Sequence, residues 1–147
     1  MNIIIVGCGK VGLKLLEKLS QEKEHNITCI DIKYSIVQDA ISQYDIMGVV
    51  GSGVSQTTLK EAGIESANLL IAVTGSDELN LLTCLVAKKL GSLRTIARVR
   101  QPEYSKEISL LKEDLGLAMV INPEQAAANE IARVLRFPSA IQIDTFA

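Results

Sequence analysis

Apolar residues along the chain fall alternately into short runs and longer stripes. Ile3 to Val6, Ile27 to Ile30, Ile46 to Val50, Leu69 to Val73, Thr95 to Val99 and Met119 to Ile121 are brief and rich in β-branched residues, as expected of strands buried on both faces. Between them lie segments with a helical repeat. In the first, Val11, Leu15, Leu16 and Leu19 share one face while Lys14, Glu17 and Lys18 turn outward. Six strands separated by helices predict an α/β fold with a doubly wound, parallel six-stranded sheet. Leu79 to Leu90 is apolar almost all round, which predicts either a deeply buried core helix or one pressed between the sheet and a second surface.

Asn122-Pro123-Glu124-Gln125 supplies a side-chain cap, a proline preset for the first helical position and a reciprocal Gln bond, so a last helix should run to about Phe137, ahead of Pro138. Its Ala128, Ile131, Ala132 and Leu135 form one stripe, expected to face a partner surface. Beyond it Ile141, Ile143 and Phe146 alternate with polar residues, with nothing further along the chain to cover them. We therefore expect one domain over residues 1–137, with 138–147 a linker or the start of a missing C-terminal domain of a longer protein.

Composition narrows the class. A chain of 147 residues suits one domain. With 48% hydrophobic residues, 3% aromatic and no Trp, its core must be built from Ile, Leu, Val and Ala. The net charge is -2, and Lys and Arg are interspersed with Asp and Glu; no phosphate-tracking basic face emerges, so nucleic acid is not an expected partner. Cys8, Cys29 and Cys84 form no CxxC pair and have no histidines nearby, which predicts reduced cytosolic thiols and no metal site. The single histidine, His25, falls in a polar turn and is expected to be solvated. No basic leader is apparent and no run approaches the ~18 apolar residues of a membrane helix. The expected location is the cytoplasm.

The candidate chemistry starts at Gly7-Cys8-Gly9-Lys10-Val11-Gly12, directly after the first strand and opening the first helix. That context makes it a dinucleotide fingerprint of the Rossmann type: Gly7 for a tight turn, Gly9 for approach of a pyrophosphate to the backbone, Gly12 for close helix–strand packing. Unpaired amides at the helix start face the phosphates. Asp31 ends the second strand 19 positions after Gly12, near the spacing of the carboxylate that binds adenosine ribose hydroxyls. It favours NAD(H) over NADP(H), although Lys33 nearby keeps NADP open; alternatively, Asp31 only caps the next helix. A dehydrogenase needs a proton donor and a substrate site. Tyr34, Tyr44 and Tyr104 each lack a lysine four positions on, and no GxSxG elbow is present. A binding protein with no catalytic residues, one that senses its nucleotide, is the expectation.

Taken with Gly51-Ser52-Gly53, Leu59 to Gly63, Ala72 to Asn80, Ile96 to Arg100 and Pro123-Glu124-Gln125, the fingerprint makes the chain resemble, along essentially its whole length, the RCK or KTN nucleotide-binding domain of Trk and Ktr potassium transport regulators. TrkA-type subunits are the nearest match. The resemblance implies NAD(H) as ligand, with ATP or ADP left open by Lys10, which stands where some Ktr relatives carry Arg. It places Ser52 at the adenine side, where many relatives have an acidic residue; a plain glycine-rich turn is the alternative. Thr74 and Gly75 would contact the nucleotide, Asp77 would cap the helix that follows, and Arg98 would meet phosphate or ribose unless it only forms a surface salt bridge. A glutamate like Glu124 helps hold a cation between Ktr subunits, but the dipole of the helix start accounts for it here. The implied partners are a membrane potassium-translocating subunit and further copies of the chain, as a dimer or higher ring. Implied, too, is a peripheral place at the inner membrane face. Two rivals stand beside this reading: the dinucleotide-binding half of an NAD-dependent dehydrogenase, and a redox-responsive transcription regulator.

Overall fold

The computed structural model describes residues 1–91, 94–121, 131–133 and 135. Six strands, β1 (Asn2–Val6), β2 (Asn26–Asp31), β3 (Met47–Val50), β4 (Leu69–Ala72), β5 (Arg94–Arg98) and β6 (Leu117–Ile121), alternate with helices α1 (Lys10–Leu19), α2 (Tyr34–Gln43), α3 (Gln56–Glu61), α4 (Asp77–Leu90) and α5 (Ser105–Leu115). All strand pairs are parallel, in the order β3-β2-β1-β4-β5-β6. The α/β, doubly wound six-stranded sheet expected of the sequence is therefore present.

Period-two alternation along β1 shows how the two layers arise. Ile3 and Ile5 join one core with Leu15, Leu16, Leu19, Val37 and Ala40 from α1 and α2. Ile4 and Val6 join the other, with Leu59, Cys84, Ala87, Ile108 and Leu115 from α3, α4 and α5. Each strand so buried must be apolar on both faces. After β1 the chain builds outward through β2 and β3, then returns to lay β4 on the other side of β1. Ligands in open α/β sheets bind at such a switch point, outside the carboxyl ends of the strands.

The structure revises four expectations. First, α4 is not deeply buried: its inward face is Asn80, Thr83, Cys84 and Ala87, while Leu82 is 48% exposed. Small and polar side chains let the helix lie close to the sheet, and the leucines flank the contact. Second, Ile131, Ala132 and Leu135 are buried in the chain's own core, on the α1 side of the sheet, so this stripe covers the sheet where a partner surface was expected. Ala128, the cap at residues 122–125 with Glu124, and the segment 138–147 lie outside the described residues. Third, His25 is not solvated: its side chain is 5% exposed and its Nε2 lies 3.0 Å from Glu22. Fourth, β6 begins two residues earlier than predicted, because Gly116 at φ 64° ends α5 and turns the chain straight into the sheet. Among the described residues no helix is long and apolar enough to cross a membrane.

Candidate nucleotide site

The fingerprint loop forms because β1 ends where only glycines fit. Gly7 sits at φ +96°, and a Cβ there would lie 2.9 Å from the Thr74 amide nitrogen. At Gly12 a Cβ would come within 2.0 Å of the Gly7 carbonyl oxygen, so α1 can start this close to the strand only without a side chain. Gly9 differs: a Cβ there meets nothing within 4 Å, although its backbone is ordinary at φ -76°. Among the described residues nothing crowds this position, and the space a side chain would fill opens into a cleft.

That cleft has a volume of about 410 Å³ and lies at the carboxyl ends of β1 and β4, within the size range of small-molecule sites. Of the predicted residues Gly7, Gly9, Lys10, Val11, Asp31, Ser52, Thr74, Gly75 and Arg98 line it. Gly12 is buried behind them. Cys8 turns the other way, into a neighbouring cleft between α1 and α2. Sequence reasoning missed the apolar wall of Ile32 and Ile36. Ile32 is 70% exposed, and an apolar residue directly after the Asp31 strand end was the available signal.

Asp31 couples the two sides of the first crossover. Its Oδ2 accepts from the Cys8 amide at 2.9 Å and its Oδ1 from the Lys33 amide at 3.0 Å. Lys33 is the N-cap residue of α2, so the carboxylate orders the helix start while it faces the cleft. Each oxygen keeps a lone pair for a ligand.

On the other side the sheet ends are tied by side chains. Asn80, fully buried, accepts at Oδ1 from the Thr74 amide at 2.8 Å and the Thr74 hydroxyl at 2.6 Å. Its Nδ2 donates to the Thr74 carbonyl at 3.1 Å and the Arg98 carbonyl at 2.9 Å. One amide thus locks β4 to β5. Asp77 is not the cap of α4, since Ser76 takes that role by accepting from the Leu79 amide. Asp77 turns instead to the Arg100 and Gln101 amides, both at 2.9 Å, and fixes the chain after β5. With its proton committed to Asn80, the Thr74 hydroxyl can offer a ligand only an acceptor.

Arg98 donates through Nη1 to the Thr74 carbonyl at 3.2 Å, and no carboxylate among the described residues forms a salt bridge with it. Its Nε is buried without a hydrogen-bond partner. Burial and the neighbouring Arg100 charge lower its pKa, with Asp77 opposing; a partly desolvated cation of this kind favours an anion. A glycine-lined cradle, a carboxylate at one end and an orphaned guanidinium donor at the other suit an elongated ligand with an anionic middle.

The family model described as TrkA-N domain matches residues 3–123. The chain is 36% identical over 99% of its length to the Trk system potassium uptake protein TrkA homolog of Archaeoglobus fulgidus, covering 33% of that protein. It is 37% identical over its whole length to the Trk system potassium uptake protein TrkA of Haemophilus influenzae, covering 32% of it. The chain thus spans about a third of these relatives. Among solved structures, the GsuK channel bound to NAD superposes with a TM-score of 0.69 at 24% identity over 82% of this chain and 21% of that one. The TrkA-N domain of the inner membrane protein ybaL from Escherichia coli reaches 0.71 at 22% identity, over 91% and 96%.

Proposed function

Since the chain belongs to the TrkA-N domain family, we propose that it is the nucleotide-sensing part of a regulator of potassium uptake and that NAD(H) is its ligand. Gly7 to Gly12 hold the pyrophosphate in this reading, Asp31 the adenosine ribose, Ser52 the adenine side, and Thr74, Gly75 and Arg98 the remaining half. The observation that carries it is the pairing of open space at Gly9 with the unpartnered, buried Nε of Arg98 on opposite sides of one cleft. The naming of relatives as Trk potassium uptake proteins and of a structural neighbour as a channel bound to NAD supports it. Lys10, lining the cleft, extends the candidate ligands to ATP and ADP. The nucleotide acts as a signal; no bond is made or broken.

A signal of this kind works only if the ligand binds two conformations with different affinity. The proposed recipients are further copies of the chain and a membrane-embedded potassium-translocating subunit, which the chain meets from the cytoplasm. Because Ile131, Ala132 and Leu135 are covered by the chain's own sheet, residues 138–147 become the proposed contact between copies. Residues 1–137 are the proposed sensing unit, and 138–147 a linker or the start of a C-terminal domain.

Thermal unfolding with NADH, NAD, ATP, ADP and AMP tests the site. A ligand at a hundred times its Kd should stabilise by about 2.7 kcal/mol; a melting temperature unmoved by all five would overturn the reading. Hydride exchange with oxo and hydroxy acids should stay at background, and turnover would favour a dehydrogenase.

A further inference from the structure

Cys8 and Cys29, 21 positions apart in the sequence, pack in one core cluster beneath the fingerprint loop. Cys8 is 1% exposed and Cys29 fully buried. The register explains the meeting: Cys29 lies beside Ile5 in the β1–β2 ladder, and the Gly7 amide bonds to the Ile30 carbonyl, so the turn folds Cys8 back over β2. The Cys8 sulfur lies 4.0 Å from the Ile30 carbonyl oxygen. Interaction with the neighbouring Cys29 thiol, together with burial, pushes Cys8 up, while the same interaction holds Cys29 down. Cys8 lines the cleft between α1 and α2 together with Gly9, Lys10, Leu13 and Ile36.

We propose that Cys8 and Cys29 form a reversible dithiol–disulfide pair whose oxidation rearranges the phosphate loop and weakens nucleotide binding. The oxidant class is a hydroperoxide small enough to enter by the α1–α2 cleft. In the first step the peroxide O–O bond breaks, an S–O bond forms at one cysteine and one water leaves. In the second the neighbouring thiol attacks that sulfur, the S–S bond forms, the S–O bond breaks and a second water leaves. Two thiols and one hydrogen peroxide thus give one disulfide and two waters.

Both cysteines are free thiols and a covalent S–S bond is about 2 Å long, so closure must draw Cys8 toward β2. Cys8 has little freedom to move alone. Its amide is held by Asp31, and Gly7 and Gly9 on either side line the nucleotide cleft. Movement at Cys8 therefore disturbs both the cradle and the carboxylate assigned to the ribose. By linkage, bound nucleotide must favour the dithiol. The coupling rests on the nucleotide reading above, whereas formation of the disulfide does not.

The full chain is treated with hydrogen peroxide, the excess removed with catalase, and the product mapped by unreduced peptide mass spectrometry. NADH titration and hydrogen exchange of the Gly7–Gly12 amides follow on the oxidised and reduced forms. The expected result is a Cys8–Cys29 peptide, at least tenfold weaker NADH binding after oxidation, and restoration by dithiothreitol. A tenfold loss corresponds to a rise of about 30 mV in the dithiol's midpoint potential when NADH is bound. Cys29→Ala should bind NADH as the reduced parent does and ignore peroxide; Cys29→Ser serves if the alanine variant does not fold. Cys84→Ala should keep the response, since Cys84 lies in the other core, on the opposite face of the sheet. Absence of the Cys8–Cys29 peptide overturns the proposal, as does an oxidised form with unchanged loop exchange and NADH affinity. A reduced protein that bound no nucleotide would overturn the site reading instead, and loop exchange alone would then decide for or against the dithiol switch.

Discussion

The two banks of the cleft are built by different means. On the β1–α1 bank the backbone does the shaping: Gly7, Gly9 and Gly12 leave their side chains out, while Lys10, Asp31 and Lys33 add charge at the edges. On the β4–β5 bank, side chains knit the backbone together, with Asn80 spanning Thr74 and Arg98 and Asp77 gathering the amides after β5. A bank made by omission tolerates almost no addition. A bank made by a network is sensitive to deletion.

Additions to the first bank should separate folding from binding. Gly12→Ala sets a methyl 2.0 Å from the Gly7 carbonyl oxygen, and backbone displacement should cost about 3 kcal/mol, the upper range for overpacking. Gly9→Val has open space and should unfold at the parent's denaturant concentration, yet lose NADH binding at least a hundredfold, by roughly 2.7 kcal/mol. Urea unfolding and calorimetric titration of the two variants check the pair; equal behaviour would erase the distinction between a packing glycine and a ligand glycine.

Deletion on the second bank comes next. Asn80→Leu keeps the volume but strands the Thr74 amide and the Arg98 carbonyl, and should lower stability by about 2 to 3 kcal/mol. A loss under about 0.5 kcal/mol would mean that the network follows the β4–β5 geometry and does not hold it. Asp31→Ala removes the acceptor of the Cys8 and Lys33 amides beside the cleft. It should weaken NADH by about 1.5 to 3 kcal/mol, as for hydrogen bonds to a charged group. Unchanged affinity would remove Asp31 from the ribose.

Why one bank was readable in advance follows from the same contrast. Glycine constraints fall on neighbouring residues, Gly7 to Gly12, so they print as a motif; Asp31 is legible because one helix, a turn and a strand set its distance from the loop. Asn80 acts on partners 6 and 18 positions away, on two different strands, and no local pattern marks such a bridge. The α4 pattern misleads for a related reason: the face that touches the sheet carries Asn80, Thr83, Cys84 and Ala87, so apolarity and burial point in different directions. Cys8 and Cys29 are read singly in the sequence because only the β1–β2 register brings them together. The strands themselves were legible because a parallel sheet covered on both faces leaves continuous β-branched runs.

The central place of β1 also sets an order of events in time. Asn2 meets Asn26 across 24 positions but Asn68 across 66. By the logarithmic rule, closing the longer loop costs about 0.9 kcal/mol more chain entropy, and contacts of long sequence separation slow folding. The β1–α1–β2 unit should therefore assemble first and the β4 bank dock onto it late, so that the cleft exists only after the transition state is crossed. A nucleotide bridging both banks would then act as a latch on the finished molecule, not as a template. In stopped-flow experiments NADH should slow the unfolding arm and leave the refolding arm in place; an equal shift of the refolding arm would put the cleft in the nucleus.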